Sequence, residues 1–185
     1  MENVSIHEIE RDELDQFFTY LRNHLNENGE ESLLFQPITR EQLKINSEWT
    51  EKFTTGFSTT FGKIGWRKLW VAKTNRNQII GHIDIRSRNE LNTTHRVLLG
   101  MGVDSGFRGL RIGHSLLKYA IEYCKDHERI HWIDLEVLTD NTPAIKLYIK
   151  NDFEVLTNYV DMFRIGGKSY DYTLMTLEVS RKIDI

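Results

Sequence analysis

Between residues 97 and 118 the chain gathers residue types that together can hold an oxyanion. An apolar run, Val97 to Leu99, leads into alternating glycines, Gly100 and Gly102, and then Val103. A basic, glycine-containing loop follows, Arg108-Gly109-Leu110-Arg111-Ile112-Gly113, and after it His114. Ile112, Leu116, Leu117, Ala120, Ile121 and Cys124 recur at helical spacing. This order predicts a strand, a glycine turn and a helix N-terminus. Such a turn aims several backbone N–H groups at one point, and the helix dipole adds partial positive charge there. Glycines permit positive φ and close approach of the backbone. A phosphate or pyrophosphate suits that chemistry. A nucleoside-triphosphate loop does not fit, because no Gly-Lys-Ser/Thr follows. Gly100, Gly102 and Gly106 make a loose dinucleotide-type G-x-G-x-x-x-G. That reading shortens the preceding strand to a few residues and starts the turn well before the helical pattern. An ordinary strand-to-helix turn without a ligand is the remaining alternative.

A second stretch narrows the choice. Leu135-Glu136-Val137-Leu138-Thr139-Asp140-Asn141-Thr142-Pro143-Ala144 continues through Leu147-Tyr148 to Phe153. The loop Arg108 to Gly113, followed by Leu116-Leu117, resembles the acetyl-CoA pyrophosphate loop of the GNAT N-acetyltransferases, whose pattern is Gln/Arg-x-x-Gly-x-Gly/Ala. The second stretch resembles that family's other signature, an Asn and an Ala before a Leu-Tyr on a short helix, with a Phe opening the next strand. The two stand in the family's order and cover residues 97 to 155. At position 111 this chain has Arg where the family usually has Gly. If the site needs positive φ there, Arg is disfavoured. If the residue lies in the first helical turn, Arg is allowed and its N–H can still face phosphate.

The resemblance implies an acetyl-CoA-dependent N-acetyltransferase that moves the acetyl group to a primary amine by direct attack. An alternative is an acyl-CoA-binding regulatory domain with catalysis weak or lost. The chemistry needs a held cofactor, a polarised carbonyl, a deprotonated amine and a protonated leaving thiolate. The resemblance assigns the pyrophosphate to Arg108, Gly109, Arg111, Ile112, Gly113 and His114. The pantetheine arm falls to the main chain of Met101 and Val103, with Asn141 hydrogen-bonding it. It also implies a bulge at Gly100 and Gly102 that splays the central strand from its parallel neighbour; tight packing against a bulky side chain is the competing reason for those glycines. Tyr148 becomes the leaving-group acid, its alternative a core aromatic, and Asn141's alternative is a helix-start turn residue. Many family members carry a Glu on the central strand, but residues 95 to 103 hold no carboxylate. Glu136 is therefore the leading base candidate, with Asp84, His82 and His95 behind it. Phe35, Trp49, Phe57, Trp66 and Tyr170 are candidates to line the acceptor pocket, and Glu27, Glu30 and Glu31 to meet a cationic amine. No metal is implied. The expected partner is a small-molecule or peptide amine, and the expected assembly a homodimer.

The elements around these residues follow from periodicity. Val4 to Ile9 reads as a first strand. Asp12 is placed to cap a helix carrying Leu14, Phe17, Phe18, Leu21 and Leu25. Thr39 with Gln42 is a capping-box pair before a helix through Leu43, Ile45, Trp49 and Phe53 to about Gly56. Residues 66–73 and 78–86 make a hairpin. Residues 95–103 and 130–138 are parallel neighbours joined by the helix after the loop. Thr142, with Pro143 behind it, caps the short helix before Tyr148. Residues 153–165 and 168–179 form a hairpin about Gly166-Gly167. The expected fold is α/β: a GNAT-like mixed sheet of about seven strands, mostly antiparallel with one central parallel pair, flanked by four helices.

The 185 residues suit a single domain spanning 1–185. A net charge of −3 leaves no electrostatic footprint for nucleic acid. The one cysteine, Cys124, falls on the apolar face of its helix and reads as core filler. MENVSIHEIERDE lacks the basic and apolar regions of a signal peptide, and no apolar run approaches the roughly 20 residues of a membrane span. A cytoplasmic location is the expectation.

Overall fold

The computed structural model describes residues 4–27, 34, 36–38 and 45–180. Among them the elements run β1 (Ser5–Glu8), α1 (Leu14–Asn26), α2 (Ser47–Ser58), β2 (Arg67–Lys73), β3 (Ile79–Ser87) and β4 (Arg96–Val103). Then come α3 (Ile112–Asp126), β5 (Trp132–Leu138), α4 (Thr142–Ile149), β6 (Glu154–Ile165) and β7 (Lys168–Glu178). The seven strands form one sheet in the order β1-β2-β3-β4-β5-β7-β6. Only β4 and β5 pair in parallel. This is the mixed sheet with a central parallel pair that the spacing predicts.

Alternation along the strands divides the core between two faces. Trp70, Ile83, Ile85, Val97 and Leu99 pack on one face against Ile112, Leu116, Leu117, Ala120 and Cys124 of α3. Leu69 and Val71 pack on the other against Phe17, Tyr20 and Leu21 of α1 and Phe53 of α2. Cys124 is fully buried, and burial pushes its thiol up to about 12, as suits a core residue. Among the described residues no helix is long and apolar enough to cross a membrane.

Local chemistry departs from expectation at several element ends. Asp12 does not cap α1; the Glu13 carboxylate accepts from the Glu10 N–H at 2.8 Å, and a 3-10 turn over Arg11–Glu13 leads into the helix. α2 continues past Gly56 to Ser58, with the Phe57 ring 5.6 Å from that of Phe53. The pair Thr39 and Gln42, with Leu43, lies outside the described residues. α4 is capped by Asn141, not Thr142: the Asn141 Oδ1 accepts from the Ala144 N–H at 3.3 Å. Gly166 and Gly167 have φ of 56° and 79°, the two left-handed residues a tight hairpin with matching strand twist requires.

Candidate active site

A gap opens in the middle of the sheet. β4 and β5 are paired only at Arg96↔Trp132, Val97↔Ile133 and Leu98↔Asp134. Beyond Leu98 pairing ceases, although β4 stays in register with β3 as far as Val103 and β5 with β7 as far as Leu138. The Asp104 N–H bonds the Ile80 carbonyl at 3.0 Å, so Leu98, Gly100 and Gly102 exchange main-chain bonds with β3. The main chains of Met101 and Val103 therefore turn the other way, into the gap. The expected bulge is absent: the β3–β4 register runs unbroken from Gly81↔Val103 to Ser87↔Val97. Each strand keeps its full antiparallel partner, so the gap forms by loss of parallel bonds alone. Gly100 answers instead to packing, since a Cβ there would come 2.7 Å from Asp84 Oδ1 and 3.0 Å from Arg86 Nη1.

The loop and the start of α3 close the end of the gap beyond Val103. The first helical bond there runs from the Ser115 N–H to the Arg111 carbonyl at 3.0 Å. The N–H groups of Ile112, Gly113 and His114 precede it and have no acceptor within the helix. Gly109 has φ 79° and Arg111 φ 63°. Arg111 thus adopts the left-handed conformation that a glycine takes freely, at a strain of roughly 1–2 kcal/mol for a residue with a Cβ. Its side chain is exposed. Arg108 points back to the strand: its Nε donates to the Val103 carbonyl at 3.2 Å. The Asp104 carboxylate accepts from the Gly106 N–H at 2.9 Å, which fixes the intervening turn. This donor set, left-handed turn and helix N-terminus fit a pyrophosphate.

α4 stands at the other side of the gap. Leu147 lies 3.5 Å from where a Gly113 Cβ would project, beside Val103 and Met101 at 3.6 and 3.7 Å. Tyr148 is buried with its ring 5.6 Å from that of Phe153. Burial pushes its phenol pKa up, and the Tyr172 phenol adds to the shift, so the proton stays on. Asn141 spends its carbonyl oxygen on the helix cap and keeps its amide N–H groups.

The base candidates separate clearly. Glu136 stands two residues past the last paired residue of β5, as Gly100 does in β4, so the two face one another where the gap opens. Glu136 is exposed and has no hydrogen-bond or ion-pair partner among the described residues. Asp84 is committed to Arg86 at 3.1 Å and Arg67 at 3.5 Å. His82 is buried, and burial pushes its pKa down to about 3. His95 is exposed at the opposite end of β4, its ring 6.1 Å from that of His131, away from the gap.

The acceptor-pocket expectations fare unevenly. Trp66 belongs to the α3-side core, packed edge-to-face with Phe61 at 4.8 Å between ring centroids, and is not on the acceptor face. Phe57 lines a cavity of about 370 Å³ with Ile9 and Leu14 that includes no residue of β4 or β5. Tyr170 is half-buried on β7. Phe35, Glu30, Glu31 and the side chain of Trp49 lie outside the described residues. Three residues not singled out in advance lie on the face of the sheet that carries Glu136. Tyr20 donates its hydroxyl to the Gly102 carbonyl at 3.3 Å and lies 3.1 Å from His82 Nδ1. One hydroxyl proton cannot serve both, so the oxygen accepts from the Nδ1–H tautomer of His82. Arg67 and Arg86 are the others. Tyr20 is hidden inside the apolar stripe of α1, and the arginines read as ordinary outward-facing strand residues.

The model of the "Acetyltransferase (GNAT) family" matches residues 40–153. A curated relative, the L-amino acid N-acetyltransferase AaaT of Escherichia coli, is 34% identical over 77 residues, 42% of this chain. The match spans 48% of that relative, about half its length. An acetyltransferase of GNAT family from Streptococcus pneumoniae superposes with a TM-score of 0.79 at 21% identity, covering 95% of this chain and 99% of that one. An N-acetyltransferase from Staphylococcus aureus gives 0.72 at 16% identity, covering 96% and 99%. At those identities the two structures establish likeness of fold.

Proposed function

The chain belongs to the GNAT acetyltransferase family, and from that premise we propose that it is an acetyl-CoA-dependent N-acetyltransferase acting on a primary amine. The observation that carries this reading is the gap itself, with the Met101 and Val103 main chains facing it and the open α3 N-terminus at its end. When bound, acetyl-CoA supplies a thioester carbonyl open to attack and a thiolate leaving group. The N–H groups from Gly109 to His114 hold the pyrophosphate, helped by the helix dipole. The Met101 and Val103 main chains bond the pantetheine arm, and one of their N–H groups donates to the thioester oxygen as negative charge grows there. Asn141 donates to the arm from its amide. Glu136 takes the proton from the incoming amine, directly or through water, as the C–N bond forms. Tyr148 returns a proton to the sulfur as the C–S bond breaks.

Calorimetric titration with acetyl-CoA, followed by a thiol-release assay over a panel of amines, tests the proposal. Absence of acetyl-CoA binding to the folded protein would overturn it. A second reading, an acyl-CoA-binding regulatory domain, is favoured by the lack of a carboxylate on β4. Tight binding with no thiol release for any amine would select it.

A further inference from the structure

On the face of the gap that carries Glu136, two guanidinium groups share one carboxylate oxygen. Arg86 Nη1 is 3.1 Å and Arg67 Nη1 3.5 Å from Asp84 Oδ2. Among the described residues no second carboxylate meets either arginine. Asp134, the next acid across the sheet, is taken up by Arg88, Arg96 and Thr176. Asp84, Arg67 and Arg86 taken by themselves thus sum to one positive charge. The cluster is also open to a ligand, for the arginine side chains are 21% and 31% exposed while Asp84 is buried. Arg67 lies over the Phe53 ring at 3.9 Å, which fixes its guanidinium plane. Burial pushes the Arg67 pKa down; Asp84 opposes this, and Arg86 adds to it, as expected of a cation short of anions.

Position completes the case. Asp84 and Arg86 occupy the space over Gly100, at the level where β4 and β5 part. Glu136 lies across the opening, and both Glu136 and Arg86 act on the Tyr172 phenol, the first raising its pKa and the second lowering it. Register puts Arg86 level with Leu98 and Asp134, and Glu136 one row further along the same face. Two residues of strand rise separate those rows by about 7 Å along the strands, and two strand spacings separate β3 from β5 by about 10 Å across the sheet, a span the long Arg86 side chain shortens. One small molecule can touch both.

Resting on the transferase reading, we propose that the acceptor is an amine bearing a nearby carboxylate, an amino acid in the simplest case. Arg86, backed by Arg67, takes the carboxylate through the parallel N–H groups of its fork. The amine then lies toward Glu136 and the gap, and the carboxylate decides which nitrogen meets the thioester. Polyamines and lysine side chains offer the two guanidinium groups no carboxylate and lack that anchor.

The test compares an L-amino acid, its carboxamide and its decarboxylated amine, in calorimetric binding to the protein with acetyl-CoA and in thiol release. The acid is expected to lead both analogues by about 10- to 100-fold, the weight of a charge-assisted bond. Arg86→Gln should erase that lead while leaving acetyl-CoA affinity unchanged, and Arg86→Lys should restore part of it. Arg67→Gln gives a second variant if the first unfolds. Equal or better binding and turnover of the decarboxylated amine would overturn the inference. Selective binding of the acid without thiol release would uphold the carboxylate site and remove the transfer reading instead.

Discussion

Tyr148 is buried yet carries a polar group beside the gap, and its ring could serve packing alone. Tyr148→Phe separates the two roles because it keeps the ring and removes the proton. As leaving-group acid, Tyr148 should give a Phe variant with turnover reduced about 10²–10⁴-fold and acetyl-CoA affinity within a few fold. As core filler alone, it should give a Phe variant with normal turnover, while Tyr148→Ala loses roughly 3–5 kcal/mol of stability. Thiol release, calorimetry and melting of both variants decide the matter. Arg111 offers a second residue-scale measurement. Its φ of 63° suits glycine. Arg111→Gly should relieve left-handed strain, partly offset by the entropy glycine brings to the unfolded chain, and raise stability by about 0.5–1 kcal/mol. An unchanged or lower melting temperature would show that the loop stores no strain there.

At the scale of elements, the site is made by what β4, β5, α3 and α4 leave open between them. Gly113, in the first turn of α3, points its missing Cβ at Leu147, Val103 and Met101, across the gap from strand to helix. A methyl group there would sit at 3.5 Å or more from each, an ordinary contact. Gly113→Ala should therefore fold and bind acetyl-CoA nearly as before. Gly113→Val places two further carbons among those side chains, inside the gap that the pantetheine arm needs. Acetyl-CoA affinity should fall by one to several orders of magnitude, from loss of bonds on the order of ~1.5–3 kcal/mol each. Calorimetry on both variants checks this, and undiminished affinity in a folded Val variant would remove the arm from the gap.

Across the whole molecule, the sheet buries titratable groups under α1 and at its β1 edge, and these set the response to acid. Burial pushes His82 down to about 3 and His24 down to about 4, against an ordinary 6.5. Above pH 6.5 both rings are neutral in the folded and the unfolded chain and contribute no pH dependence. Below it the unfolded chain binds protons that the folded chain refuses, so stability drops as pH falls toward the folded values. Each histidine contributes a slope of up to about 1.4 kcal/mol per pH unit. Glu13 acts lower down. Burial opposes its ionised form, but the Glu10 N–H, Lys73 and His7 outweigh that and hold it at about 2 against 4.5. Its contribution is present above pH 4.5 and is lost as pH falls toward 2. The melting temperature should thus decline continuously from pH 6.5 to pH 3, and His24→Phe should flatten the upper part of the decline. A flat profile between pH 7 and pH 4 would contradict the buried neutral histidines.

Periodicity alone placed the strands, the parallel pair about α3 and the turn at Gly166-Gly167, because those signals are local and repeat along the chain. The loop from Arg108 to His114 was legible for the same reason: glycines and a helix start in sequence already imply converging N–H groups. What stayed hidden depends on contacts between distant residues. Whether Arg111 entered the helix or turned left-handed, and whether Asn141 or Thr142 capped α4, turned on a single residue's conformation. That Gly100 makes room for Asp84 and Arg86 rather than a bulge required the β3–β4 register. Trp66 and the acceptor-face residues show the same limit. Alternation says that successive strand residues face opposite ways, but not which way faces the helices α1 and α2. Only the packing of α1 on the sheet brought Tyr20 to Gly102, and only pairing across the sheet brought Arg67 and Arg86 to one carboxylate opposite Glu136.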